Sequence, residues 1–223
     1  MLEPKLYLGG SFDPVHLGHV QSLEQLRQAL RLSHAYLLPA KCSPLKQTTN
    51  VSDQHRLKML ELAIEGSPHL SIDDRELWQS GASFTYLTLR ELRQQFPETP
   101  IIFALGMDSF QSLDRWSHWQ AMTDLAHLAV FARPGYHPLL SKPITDWLAQ
   151  HQTTHIDKLH QQLAGAVWLT ELEPFDMASS SIRTDLYDAP QRAKGSLATA
   201  VYDYIVSHQL YQTSSMCKNH DGQ

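Results

Sequence analysis

The chain has 223 residues, 42% of them hydrophobic and 18% charged, an ordinary globular balance at a length that buries a sizeable core. A net charge of -5 removes the broad positive surface that sequence-independent nucleic-acid binding requires, so a small anionic ligand is expected and a duplex is not. Cys42 and Cys217 are far apart and in neither a CxxC nor a metal-ligand spacing, which indicates no disulfide framework and no zinc site and predicts a reducing, cytoplasmic setting. The opening "MLEPKLYLGG" lacks the long apolar region of a signal peptide, and no apolar run approaches spanning length, so no membrane partner is expected.

Taken in chain order, "KLYLGG" predicts a first strand and "HVQSLEQLRQAL" a first helix, with Val20, Leu23, Arg27 and Leu30 at helical spacing. "AYLLPA" predicts a second strand, and Leu57, Leu60 and Ile64 mark a second helix. "HLSI" follows as a third strand, then a helix carrying Leu89, Leu92 and Phe96, then the strands "IIFALG", "HLAVFA" and "AVWLT". Pro134, Pro138 and Pro143 interrupt the pattern, and the segment from Tyr136 to about Gly165 reads as an insertion carrying one or two helices. Leu197, Val201, Tyr204 and His208 predict a closing helix before the polar "TSSMCKNHDGQ". Strands alternating with helices predict an α/β fold, a doubly wound, Rossmann-like parallel sheet with helices on both faces. It should form a single domain over residues 1–212, with 213–223 as a disordered tail.

The turn between the first strand and the first helix, "GGSFDPVHLGH", falls where open parallel sheets bind ligands. Gly9 and Gly10 lack a Cβ, which lets a ligand approach the backbone and lets the chain adopt conformations that other residues avoid. His16 and His19, three apart at the helix start, face the same way, where free amides and the helix dipole favour phosphate. A glycine pair after a strand is often only a turn, and neighbouring histidines are often incidental. The order FDPxHxGH is nonetheless far more restrictive than a GxGxxG fingerprint, which the segment does not match. The two histidines lie in no HExxH and have no evident third ligand, so no protein metal site is expected.

Other segments join this end of the sheet. In "MASSSIRTDL" the hydroxyls of Ser179, Ser180 and Ser181 precede an apolar helical pattern, which predicts a capped helix start, and Arg183 adds charge-assisted bonds to phosphate. Asp108, in "GMDSF" after the fourth strand, could hold a ribose hydroxyl, hold a metal through water, or cap the next helix. Trp116 and Trp119 could stack a planar ring or simply pack. Arg133 in "RPGY" opens at the same rim, and Lys46 lies in the loop after the second strand.

"GGSFDPVHLGH" resembles the signature of the HxGH nucleotidyltransferase superfamily. That resemblance implies that His16 and His19 bind the phosphates of a nucleoside triphosphate and stabilise charge building at its α-phosphorus, with Mg2+ arriving on the nucleotide. "MASSSIR" resembles the superfamily's ISSTxIR motif, with Met177 for Ile, Ala178 for the first Ser and Ser180 for Thr. Lys46 matches a lysine that reaches the triphosphate from a PPHK-like sequence, although Leu45 stands where that pattern has His. The order GxDS, Trp-containing segment and RPG, with "SFTYLTL" before it, is similar to the bacterial nicotinate mononucleotide adenylyltransferase family over nearly the whole chain, from Leu6 to about Leu210.

The family resemblance implies adenylyl transfer from ATP to nicotinate mononucleotide in NAD biosynthesis. Its catalytic residues would be His16, His19, Lys46 and Arg183. ATP would contact Gly9, Gly10, Ser11, Phe12, His16, His19, Asp108, Ser179, Ser180 and Arg183. The acceptor would contact Thr85, Trp116 and Arg133, with Trp116 stacked on the pyridine ring and amides near Thr85 on its carboxylate. Ser117 stands where the family often has a bulkier residue, which leaves the choice between acid and amide substrate open. The alternatives are the same chemistry on nicotinamide mononucleotide or pantetheine phosphate, and a noncatalytic nucleotide-sensing module. The sequence carries no signal for an oligomeric state.

Overall fold

Period-two alternation along the central strands builds the molecule outward from one sheet. The computed structural model describes residues 2–41, 51–79, 81, 83–131, 139–170, 172, 175 and 177–212. Lys46, Arg133 and the expected tail 213–223 lie outside the described residues. Six parallel strands, β1 (Lys5–Gly10), β2 (Ala35–Pro39), β3 (Leu70–Ile72), β4 (Ile101–Gly106), β5 (His127–Phe131) and β6 (Val167–Thr170), lie in the order β3-β2-β1-β4-β5-β6. β1 is central, with Leu8 opposite Leu37 of β2 on one side and Ala104 of β4 on the other. In β1, Leu6 and Leu8 face one apolar core while Tyr7 faces a second; in β4, Ile102 and Ala104 oppose Ile101, Phe103 and Leu105 in the same way.

Helices cover both faces. α1 (Leu17–Ala29), α2 (Asp53–Ala63), α7 (Ser179–Asp188) and α8 (Thr199–Ser207) supply Leu23, Leu26, Met59, Leu60, Ile182, Leu186, Val201 and Ile205 to the first core. α3 (Thr85–Gln95), α4 (Met107–Gln111) and α5 (Lys142–His151) supply Leu89, Leu92, Phe110, Ile144 and Trp147 to the second. The region read as an insertion carries α5 and a short α6 (Asp157–Gln161). The strand order reverses between β1 and β4, and the rim beyond their carboxyl ends is where such sheets bind ligands.

Three local expectations are corrected. α2 buries Arg56, Met59 and Leu60 rather than a face through Leu57, because a fully buried guanidinium takes a place that apolar periodicity cannot detect. The closing helix starts at Thr199 and buries Val201, Tyr202 and Ile205, while Leu197 precedes it and His208 is exposed. α7 has Ala178 as its N-cap with no side-chain cap bond, so the serines do not cap it. His127 is a packing residue: fully buried, it joins β5 to the chain entering β6 through Nε2 and the Gln162 carbonyl, 2.8 Å, and through the Ala166 N–H, which donates to Nδ1, 3.1 Å.

Candidate active site

The glycines at the end of β1 are required by neighbouring side chains. A Cβ at Gly9 would collide with the ring of Phe103, and one at Gly10 would approach the Phe12 ring to 3.0 Å. Neither glycine is among the residues with positive φ; the left-handed residue of this turn is Phe12, at φ 47°. The expectation that Gly9 and Gly10 supply unusual backbone conformations is therefore corrected: they supply space, and a buried phenylalanine carries the strained backbone.

After Phe12 the chain passes Asp13 and Pro14 and enters α1 with His16 as its N-cap. The His16 and His19 rings stack with centroids 3.6 Å apart, and the His16 backbone N–H donates to His19 Nδ1, 3.3 Å. Phe12 braces this pair by meeting the His19 ring edge-on, with centroids 5.0 Å apart. His16 is buried, its Nδ1 has no hydrogen-bond partner, and burial pushes its pKa down to about 4. At neutral pH it is an uncharged imidazole in the ligand-free site. Gly18 leaves room for that ring, since a Cβ there would lie 3.1 Å from His16 Nδ1.

α7 docks on the same turn. Ser179 Oγ donates to the Pro14 carbonyl, 3.0 Å, and Arg183 Nη1 to the Asp13 carbonyl, 2.6 Å. The Ser179 proton is thus engaged by the turn, while Ser180 is exposed at the helix start. The first amides of α1 and α7 have no helical carbonyl behind them, so both helices bring positive ends to this corner. Asp108 sits exposed in the first turn of α4, whose N-cap is Gly106, so it is not the cap of that helix.

Next to the turn is a cavity of about 300 Å³ that brings together Gly9, Gly10, Ser11, Thr85 and Trp116. Its floor is apolar, from Leu38, Phe103 and Leu105, and Ser109, Arg115 and Ser117 line it with Trp116. Thr85 is the first residue of α3, whose opening amides are likewise unpaired within the helix. Near the start of α3 the Tyr86 and His118 rings stack at 4.7 Å, and His118 is left-handed at φ 52°. Trp119 turns away and packs edge-on against Trp147 of α5, 5.2 Å between centroids.

Sequence reasoning missed Glu76, a buried carboxyl in the cavity wall that accepts from Thr88 Oγ, 2.6 Å. Burial raises its pKa despite hydroxyl donors from Thr88 and Ser83. It also missed Arg115, one residue before the tryptophan it did find. The available signal was proximity in sequence to Thr85 and Trp116. A larger cavity, about 530 Å³, lies between the outer side of α1 and residues Gly66–Leu70 and contains none of the candidate residues. Among the described residues, no group of three or more His, Cys, Asp or Glu could hold a metal ion, and no helix is long and apolar enough to cross a membrane.

The cytidylyltransferase-like family model matches residues 7–185. A "Probable nicotinate-nucleotide adenylyltransferase" of Aeromonas salmonicida is 40% identical over 205 residues, covering 92% of this chain and 95% of the relative. One of Yersinia pestis with the same description is 39% identical, covering 92% and 93%. The fold is similar to that of Plasmodium falciparum nicotinic acid mononucleotide adenylyltransferase complexed with NaAD. That match has a TM-score of 0.74 at 18% identity and covers 94% of this chain and 98% of the other.

Proposed function

Because the chain belongs to the nicotinate-nucleotide adenylyltransferase family, we propose that it transfers the adenylyl group of ATP to nicotinate mononucleotide, forming nicotinate adenine dinucleotide and pyrophosphate for NAD biosynthesis. One continuous turn, Gly9–His19, carries this reading. The cavity lies at its start, the contacts of α7 at its middle and the stacked histidines at its end. Phosphate and acceptor sites are therefore neighbours, as transfer between them requires.

A 5′-phosphate oxygen of the acceptor attacks the α-phosphorus of ATP. A new P–O bond forms there, the bond to the α,β-bridging oxygen breaks, and pyrophosphate leaves with that electron pair. A phosphate monoester is already nucleophilic at neutral pH, so no general base is needed. The protein aligns the two phosphates and stabilises the charge that develops on them. His16 and His19, the amides of α1 and α7, and Arg183 face the triphosphate, and magnesium enters with the nucleotide as part of the substrate. Lys46 and Arg133 join this assignment from the family motifs. Trp116 stacks on the pyridine ring, with its carboxylate toward the first amides of α3 at Thr85. Residues 1–212 act as one transferase unit, in the cytoplasm.

The test offers nicotinate mononucleotide, nicotinamide mononucleotide and pantetheine phosphate separately with ATP and magnesium and follows pyrophosphate release. Preference for the nicotinate compound is expected. Turnover of another acceptor alone would overturn the substrate, and absence of turnover with all three would overturn the reaction.

A further inference from the structure

Beneath the turn lies a set of buried contacts that the reaction scheme above does not use. Arg56 of α2 is fully buried, yet its guanidinium reaches three segments. It donates to the Ser11 carbonyl, 2.6 Å, to the Lys41 carbonyl just past β2, 3.0 Å, and to Asp53 Oδ1 at the start of α2, 2.6 Å. From the far end of the chain, Tyr211 is buried and donates its hydroxyl to Asp13 Oδ1, 2.8 Å, across 198 residues of sequence. Arg183 takes the Asp13 carbonyl from a third direction. Three side chains from three separate parts of the chain thus grip Ser11 and Asp13, the two residues that flank Phe12.

The grip falls where the backbone would otherwise relax. A phenylalanine at φ 47° is strained by about 1–3 kcal/mol and persists only where its surroundings over-determine it. A peptide is planar and trans, so holding the Ser11 carbonyl on Arg56 turns the Phe12 N–H to the opposite side. Phe12 in turn braces His19, which stacks on His16. Burial and the neighbouring Asp13 carboxylate push the Tyr211 hydroxyl well above the usual phenol range, so it remains a neutral donor.

We propose that Arg56 and Tyr211 are positioning residues for the triphosphate: they touch no substrate, but hold the Ser11–Pro14 turn, and through Phe12 the two histidines, in the shape that binds ATP. The proposal rests on the adenylyl-transfer reading for the identity of the ligand. Its test is arranged to be separable from that reading.

Magnesium-ATP is titrated calorimetrically into the full chain without acceptor, for wild type, Tyr211→Phe and Arg56→Lys, and the acceptor KM is measured separately. Tyr211→Phe keeps the ring in the core and removes one hydrogen bond to a charged group, so ATP should bind about tenfold more weakly with the acceptor KM within twofold of wild type. Arg56→Lys keeps the charge but has no planar fork to span three acceptors, and should show the same selective loss. Arg56→Gln should lose more affinity than Arg56→Lys; if it fails to fold, Tyr211→Phe carries the test. A merely structural role would lower the melting temperature or the active fraction without separating the two substrates. ATP affinity within twofold of wild type in Tyr211→Phe, or equal weakening toward both substrates, would overturn the proposal. A wild type that binds ATP but transfers to no acceptor would sink the reaction and leave intact the comparison of ATP affinities between wild type and variants.

Discussion

The two halves of the crevice are built differently. The half proposed for the phosphates is held at short distances, by Arg56 on Ser11, by Arg183 and Tyr211 on Asp13, and by two stacked histidines braced by Phe12. The half proposed for the acceptor is a cavity whose wall includes the start of α3, at Phe84 and Thr85, and residues 115–117, with exposed Phe84, Arg115 and Ser117 among them. Under the proposed reaction, the chemistry that depends on alignment would fall on the half with the denser buried contacts, and selection of the acceptor on residues at the start of α3 and at 115–117.

The sharpest way to break this division is in the phosphate half. His19→Ala should lower kcat by about 10² to 10³, the loss seen when one oxyanion donor is removed, with an unchanged circular dichroism spectrum. An undiminished rate in the folded variant would reject the histidine's role. The acid limb of the stability profile comes next. His16 titrates at about 4 in the folded chain, below its ordinary 6.5, so the unfolded chain takes up the proton first as pH falls. Its contribution is complete above pH 6.5, is lost between 6.5 and 4, and amounts to about 3 kcal/mol over that window. In denaturant melts the stability difference between wild type and His16→Asn should be constant above pH 6.5 and shift as pH falls from 6.5 to 4; parallel profiles across that window would contradict the burial argument.

Gly9 lies at the seam, contacting the cavity while Phe103 fills the space its side chain would need. Gly9→Ala should destabilise by about 1–3 kcal/mol through overpacking, read as a lower denaturation midpoint, and should impair both substrates together. The smallest effect belongs to the acceptor half. Trp116→Ala should raise the acceptor KM about tenfold through lost stacking and burial, with the ATP KM unchanged. A matching rise for ATP would merge the two halves into one.

The sheet was legible because each strand is a short apolar run bounded by turn residues, with β-branched residues in β3 to β6, and all six appear where those runs lie. Helix positions followed from apolar spacing, and the errors arose where a polar residue is buried, as Arg56 is, or where a hydroxyl bonds outside its own helix, as Ser179 does. In the site, His16, His19 and Arg183 were legible because their order along the chain is restrictive and the α7 contacts bring them to one turn. Thr85 and Trp116 share a cavity with Gly9 and Gly10 as their separate strand ends implied. Arg56, Glu76 and Tyr211 were not legible, because their importance lies in partners 12 to 198 residues away, and no local pattern records a long-range hydrogen bond.

The central claim is that phosphates and pyridine ring occupy adjoining halves of one crevice, and a crystal structure of the protein with bound nicotinate adenine dinucleotide tests it most directly. The account predicts the pyridine ring against Trp116 with its carboxylate at the Thr85 amide, and the diphosphate beside His16, His19 and the start of α7. A ring outside the cavity of Gly9, Thr85 and Trp116, or a diphosphate away from the two histidines, would contradict it.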